Sequence, residues 1–280
     1  MANILNAKNI AEEIKLKLLE ERKRFSELTL ASVVFKNDDA TQSYCLSQKK
    51  WAEALDIRYE NILIEEKAPF DEPIRIIKEL NKKNIQGIIL NKPFPSGWDE
   101  MAFFSSIDVS KDIEGLNPYN LGRVFFGEAV FIPPTVLSVL ELLKLSECKL
   151  YGKNVVIVGF SNILGKPLSV ILADRLATVS ITHIGTFEAN NLLFYVSNAD
   201  ILITAVGKPH LIKGSWIKEG AVVIDVGMGK LRGKLTGDVE FEEAKKKASF
   251  ITPVPGGVGA LTVAFLFSNL LKAAGIQKDS

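Results

Sequence analysis

The chain has 280 residues, 47% of them hydrophobic, and 34 Lys and Arg against 33 Asp and Glu give a formal net charge of +1. That length suits one large or two modest domains, and the near-neutral balance gives no electrostatic reason to expect nucleic acid or an anionic membrane as partner. With only Cys45, Cys148, His183 and His210 available, neither a disulfide framework nor a Cys-rich zinc site is expected, and no metal is assigned.

The opening stretch MANILNAKNIAEEIKLKLLEE contains no secretory apolar region and reads as an amphipathic helix from the start. No uncharged apolar run reaches transmembrane length, so a soluble, cytoplasmic protein is expected. LASVVFK (30–36) reads as a strand, TQSYCLSQKKWAEALDI (41–57) as a helix and YENILIE (59–65) as a strand. PIRIIKELNKK (73–83) is then a helix and IQGIILN (85–91) a strand. Such alternation predicts right-handed βαβ units and a parallel sheet. Residues 92–131 are irregular, and PPTVLSVLELLKLSE (133–147) is a helix with prolines at its start, where a missing N–H costs least.

A second alternation begins at Lys153. The strands NVVIVG, TVSITHI, DILITAV, AVVIDVG and ASFITPV are interleaved with the helical GKPLSVILADRLA and FEANNLLFYVSNA, and LTVAFLFSNLLKAA (261–274) is a last helix. The predicted fold is α/β in two lobes. An N-terminal α/β lobe takes residues 1–135 plus the C-terminal helix 261–280, and a Rossmann-like parallel-sheet lobe takes 136–260.

In the second lobe Gly159, Ser161 and Gly165 lie between a buried strand and a helix. Glycines there permit a tight turn and close phosphate approach, and the helix start offers free N–H groups to a pyrophosphate. The spacing is G-x-S-x-x-x-G in place of G-x-G-x-x-G, so a plain strand-to-helix turn is the alternative; its place at the head of a βαβ unit favours a dinucleotide. The next strand ends at Ile184, Gly185 and Thr186, with no acid for a ribose hydroxyl and no Arg or Lys for a 2′-phosphate. AVGKPH (205–210), DVGMG (225–229) and TPVPGGVGALT (252–262) put further glycines at the same sheet edge.

VVIVGFSNILGKP, ADILITAVGKP, GAVVIDVG, GDVEF and above all ITPVPGGVGALT, with SYCLSQKKWAEALDI, GIILNKPFP, DIEGLNPYNLGRV and FIPPT in the same order, resemble the bifunctional methylenetetrahydrofolate dehydrogenase/methenyltetrahydrofolate cyclohydrolase family. The resemblance runs over nearly the whole chain. It implies a homodimeric one-carbon enzyme acting on tetrahydrofolate derivatives, with NADP as cofactor and NAD as the other candidate. Methylenetetrahydrofolate would lose a hydride to the nicotinamide, and water would open the methenyl product to 10-formyltetrahydrofolate.

The resemblance also supplies the site. The family pocket carries Tyr-x-x-x-Lys; here Tyr44 matches the tyrosine and Gln48 stands in the lysine place. Asn91 takes the place of a glutamine before Pro93, while Asp112 and Glu114 take the two acid places of an Asp-x-Asp-Gly segment. Phe160 replaces an arginine in the cofactor turn, Pro134 a cysteine and Ala260 a proline. Tyr44, Gln48, Lys92 and Glu114 are the catalytic candidates, Glu114 as the group that grips the pterin N–H edge. Asn91, Pro93, Asp112, Pro255, Gly256 and Gly257 are the substrate candidates. Gly159, Phe160, Ser161, Gly165, Ile184, Gly207, Met228 and Thr262 are the cofactor candidates.

Tyr44, Gln48, Ala52 and Leu55 make one helical stripe, whereas Lys49 and Lys50 lie about 140° and 240° round the helix from Tyr44. The two lysines are therefore expected at the surface. An amide cannot shuttle a proton, so a weakened hydrolase is expected, unless Lys92 at a strand end supplies the charge. A dehydrogenase-only enzyme and a non-catalytic folate or dinucleotide binder are the alternatives.

Overall fold

The computed structural model describes residues 2–35, 38–65 and 67–279. In chain order the elements begin with β1 (Asn3–Ile4), α1 (Ala7–Arg22), β2 (Thr29–Val34), α2 (Asp39–Ala54), β3 (Arg58–Leu63), α3 (Asp71–Lys82) and β4 (Gly87–Asn91). Next come α4 (Glu100–Ser106), α5 (Pro118–Phe125), α6 (Pro134–Leu145), β5 (Asn154–Val158), α7 (Gly165–Asp174), β6 (Thr178–Thr182), α8 (Ile184–Glu188) and α9 (Leu192–Ser197). The chain closes with β7 (Ile201–Thr204), β8 (Val222–Asp225), β9 (Gly229–Leu231), β10 (Lys234–Thr236), α10 (Phe241–Lys247), β11 (Phe250–Ile251) and α11 (Val258–Asp279). The last residue of the expected strand 30–36, Lys36, lies outside the described residues.

Two compact units result, one of Glu13–Pro134 with Val263–Ser280, the other of Met1–Glu12 with Thr135–Thr262. The first unit holds a parallel sheet of order β3-β2-β4. Both neighbours of β2 are reached by α2 and α3, as the alternating periodicity requires. Its core combines Leu30, Leu55, Ile89, Ile113 and Phe131 with Leu266, Phe267, Leu270 and Leu271 of α11. Among the described residues α11 is the one helix long and apolar enough to cross a membrane, but its residues 263–274 pack into the core of the first unit.

The second unit holds the sheet β1-β11-β8-β7-β5-β6, all parallel. Its central strands are buried on both faces, which is why they read as continuous apolar runs.

The sequence division needs correcting at the N-terminus. Residues 1–12 group with the second unit, because β1 pairs with β11 and Asn3 and Leu5 donate backbone N–H groups to Ser249 and Ile251. A two-residue strand carries no readable periodicity, so only its distant partner reveals it. Three local differences have local causes. Residues 92–131 contain the short helices α4 and α5, capped by the side chains of Asp99 and Asn117. The expected helix 187–199 divides into α8 and α9 at Asn190, whose φ of 58° is left-handed. Between β9 and β10, Arg232 and Gly233 both have positive φ and form a two-residue hairpin turn.

Candidate active site

In the first unit the carboxyl ends of β2 and β4 and one face of α2 bring a polar cluster together. Gln48, Ala52 and Leu55 are fully buried and Tyr44 partly so, while Lys49 and Lys50 are exposed. The helical stripe is therefore the inward face, and Lys49 reaches only Glu53, 3.9 Å away.

Gln48 sits at the centre. Its Oε1 accepts from Ser32 Oγ at 3.1 Å and from Tyr59 OH at 2.9 Å, and its Nε2 donates to Asn91 Oδ1 at 2.9 Å. Asn91 Nδ2 in turn donates to Ser32 Oγ at 2.7 Å and to Val33 O at 3.1 Å. The two amides and the serine hydroxyl form a closed hydrogen-bonded ring. Both Asn91 N–H groups and one lone pair of its Oδ1 are spent on this network, so Asn91 stands as a wall of it. Ser32 closes the ring and Tyr59 donates into it, and neither was marked by the sequence motifs. Burial pushes both Tyr44 and Tyr59 well above the ordinary phenol value; the Glu114 charge adds to the effect at Tyr44, and at Tyr59 a hydrogen bond with Ser32 works against it.

Asp112 and Glu114 lie in the loop beside β4, where Ile88 and Asp112 form a parallel bridge. Asp112 is fully buried and accepts from Leu116 N at 3.2 Å, Asn117 N at 2.8 Å and Asn120 Nδ2 at 2.8 Å. Its carboxylate is committed to shaping the loop, not to binding substrate as expected. Glu114 is partly exposed and, among the described residues, accepts only Leu90 N–H, at 3.3 Å through Oε2. Burial and then the neighbouring Asp112 charge push its carboxyl up to about 8, against the Leu90 amide and the Lys92 charge. Lys92 Nζ pairs with Glu100 and lies 5.5 and 5.9 Å from the Phe94 and Phe104 ring centroids. Its ammonium is thus already engaged. Pro93 follows it through a cis peptide bond.

In the second unit a cleft of about 390 Å³ opens along the carboxyl ends of β5, β6 and β7. Gly159, Phe160, Ser161 and Ile184 line it, joined by His183, Phe187, Val206 and Lys208. Gly159 has φ +123°, and a Cβ there would stand 2.7 Å from Ala205 O; a Cβ on Gly165 would collide with the Gly159 carbonyl. These two positions admit only glycine, which gives the turn its tight backbone and starts α7 beneath it. Ser161 Oγ accepts Leu164 N–H at 3.2 Å and fixes the same turn. The residues fit a dinucleotide by this cradle. At the end of β6 stand His183 and the apolar Ile184 and Phe187, and no carboxylate lines the cleft. His183 Nδ1 caps α8 by accepting Gly185 N–H at 3.2 Å.

Gly165, Gly207, Met228 and Thr262 do not line the cleft. Gly207 and Met228 belong to neighbouring loops, and a Cβ on Gly207 would lie 3.5 Å from Met228 O. Thr262 Oγ1 is turned back on its own helix, donating to Val258 O at 3.2 Å. Pro255, Gly256 and Gly257 precede α11 in the second unit, whereas Tyr44, Asn91, Pro93, Asp112 and Glu114 all lie in the first.

Two further carboxylates hold the nucleotide loops. Asp225 accepts from Thr204 Oγ1 at 2.9 Å, from the amides of Gly227 and Asp238 at 3.0 and 3.2 Å, and from Val239 N at 2.9 Å. Asp238 Oδ2 accepts Val206 N–H at 2.7 Å, and Asp238 Oδ1 is buried with no hydrogen-bond partner among the described residues. Burial raises both, Asp225 to about 6 with the Asp238 charge contributing. The motifs DVG and GDVEF contain them, but nothing local distinguishes a buried loop anchor from a surface acid.

The family model described as tetrahydrofolate dehydrogenase/cyclohydrolase, catalytic domain, matches residues 5–114, and the corresponding NAD(P)-binding domain matches residues 133–278. The bifunctional protein FolD of Clostridium novyi is 41% identical over 272 residues, covering 95% of this chain and 97% of that protein. The FolD methylenetetrahydrofolate dehydrogenase/cyclohydrolase of Campylobacter jejuni has a TM-score of 0.93 at 37% identity, covering 99% of this chain and all of that one. The Trypanosoma brucei methylenetetrahydrofolate dehydrogenase-cyclohydrolase, solved with NADP and an inhibitor, has a TM-score of 0.94 at 32% identity, covering 100% of this chain and 99% of that one.

Proposed function

The chain belongs to the tetrahydrofolate dehydrogenase/cyclohydrolase family, and from that premise we propose that it oxidises 5,10-methylenetetrahydrofolate to the 5,10-methenyl form and hydrolyses that to 10-formyltetrahydrofolate. NADP is the expected cofactor and NAD the second to assay. The observation that carries this reading is the presence of both family halves in one chain, matched at full length by relatives described as bifunctional. That match does not favour a dehydrogenase-only or non-catalytic protein.

Bound nicotinamide supplies the hydride acceptor. The chain's own part is to bind and orient. The Gly159–Gly165 turn and the start of α7 present backbone N–H groups to the pyrophosphate, and Phe160, Ile184 and Phe187 give the cleft an apolar wall. Without an acid at the end of β6, the cleft has no carboxylate to select a free 2′-hydroxyl or to repel a 2′-phosphate. On the folate side, Tyr44, Lys92, Pro93 and Glu114 are the groups we assign to the substrate, with Gln48 and Asn91 as the wall behind them. The working form we propose is a cytoplasmic homodimer, which light scattering of the purified protein checks.

The deciding experiment supplies methylenetetrahydrofolate with NADP or NAD and follows nicotinamide reduction, then decay of the methenyl product against an enzyme-free control. Reduction followed by accelerated decay is expected. No reduction with either cofactor would overturn the proposal.

A further inference from the structure

The end of the strand after the glycine turn is where a parallel dinucleotide fold reads the ribose 2′ position, and an acid there accepts from the free hydroxyl of NAD. In this chain His183, directly after β6, holds that place and lines the cleft. Its Nδ1 accepts Gly185 N–H at 3.2 Å, so Nδ1 carries no proton and the neutral ring carries it on Nε2. Nε2 has no hydrogen-bond partner among the described residues. His183 therefore offers this position a donor and no acceptor.

Lys208, after β7, adds a charge. It lines the same cleft, and its Nζ lies 5.9 Å from the ring centroid of Phe187, whose N–H bonds to His183 O at 3.1 Å. Lys92, Lys213 and Lys218 each pair with a carboxylate, whereas Lys208 has no acid partner among the described residues. The loop that carries Lys208 is pinned by Asp238, which takes Val206 N–H at 2.7 Å. Phe160, in the arginine place of the cofactor turn, brings no charge, and Ser161 is turned to Leu164 N–H. The wall thus presents an imidazole N–H and an ammonium, and no carboxylate. A ribose hydroxyl both donates and accepts; a phosphate dianion only accepts, and its bonds to cationic donors are strong.

We propose that His183 and Lys208 together take the 2′-phosphate and make this chain prefer NADP to NAD, an assignment that rests on the function proposed above. His183 donates through Nε2 and Lys208 through its ammonium. The charge missing from the turn at Phe160 is supplied instead from the ends of β6 and β7. Lys166 is the rival cation: its Nζ stands 5.0 Å from the Phe160 ring centroid, but the residue does not line the cleft.

Binding of NADPH and of NADH, each followed by nicotinamide fluorescence, tests this without turnover. Wild type is expected to bind NADPH at least about 100-fold tighter than NADH, and Lys208→Met and His183→Asn should each cut that ratio about 10-fold. Asparagine can still cap α8 through its own oxygen but has no Nε2–H. His183→Asp keeps a cap as well, and by accepting from the hydroxyl and repelling the phosphate it should reverse the preference. Calorimetry of wild type with adenosine 2′,5′-bisphosphate against 5′-AMP measures the same selectivity with no variant, and equal affinities would overturn the assignment. Equal losses for both cofactors in Lys208→Met and His183→Asn would make the two residues plain wall. A ratio moved by Lys166→Met and not by Lys208→Met would place the phosphate elsewhere; either result overturns the assignment. If wild type binds NADH as tightly as NADPH, the assignment falls while the proposed oxidation stands with NAD. If the selectivity holds but methylenetetrahydrofolate is not oxidised, the site stands and the proposed function falls. Binding of neither cofactor would remove both.

Discussion

Each unit contains a pair of neighbouring acids, Asp112 with Glu114 and Asp225 with Asp238, and the two pairs are built alike. In each, one carboxylate is filled by donors from its own loops: three for Asp112 and four for Asp225. In each, the other acid reaches the amides of a strand's end, Leu90 for Glu114 and Val206, with Gly207 and Lys208 beyond it, for Asp238. The pairs part at the remaining oxygen. Asp238 Oδ1 is sealed, whereas Glu114 is partly open. Burial raises all four carboxyls, so a raised value does not by itself mark function. Access decides: a sealed oxygen exchanges with nothing and acts as a latch, while an open one can meet water or a ligand.

Four substitutions break or sharpen this contrast. The largest loss of stability is expected from the filled members. Asp225→Asn and Asp112→Asn each turn an amide NH₂ toward an N–H donor, costing about 1–3 kcal/mol. Thermal melts should show a midpoint lowered by several degrees in both; an unchanged midpoint would mean that the filled carboxylates are not anchors.

Glu114→Gln should act in the opposite direction and only at higher pH. The folded-state value of about 8 lies above the ordinary glutamate value of 4.5, so the folded protein holds a proton that the unfolded chain has released. Stability therefore falls as pH rises from 4.5 through about 8, and above that the full penalty, on the order of a few kcal/mol, is present. Near pH 5 wild type and Glu114→Gln should differ little, while at about pH 8.5 the variant should melt higher. A constant difference across pH would show that Glu114 does not titrate in that window.

The smallest effect is expected at Asp238→Asn. The amide oxygen can keep Val206 N–H, and an unpartnered NH₂ replaces an unpartnered oxygen, so the change at neutral pH should stay within about 1 kcal/mol. A large drop in melting midpoint or in dinucleotide affinity, followed by fluorescence titration, would show that the sealed oxygen has a partner after all.

Much of the fold was legible because its signals are local. The buried strands around Val156 and Ile203 read as apolar runs, and Gly159 and Gly165 stood out at a strand-to-helix junction. The stripe of Gln48, Ala52 and Leu55 followed from helical phase alone. The exceptions carry little local signal: β1 exists only through β11, and the β9–β10 hairpin has three residues a side. The candidate site was legible as a set of positions, and less so as a set of roles. Asn91 and Asp112 read as substrate contacts, yet their polar atoms are spent on neighbours. Ser32, Tyr59, His183, Asp225 and Asp238 carried no role in the sequence because serines, tyrosines and acids occur at many strand ends.

By itself the sequence determined the two α/β layers, the glycine turn and the family, because backbone permissiveness and periodicity are set by residue type within a few positions. The tertiary structure alone decided which polar atoms are free. Gln48 spends both oxygen lone pairs and one N–H on residues 11, 16 and 43 positions away, and Asn91 spends an N–H on one 59 away. Glu114 keeps an open oxygen because none of the described residues places a donor on it. Hydrogen-bond valence is satisfied in space, so the chemistry left over for a substrate is fixed by the packed chain.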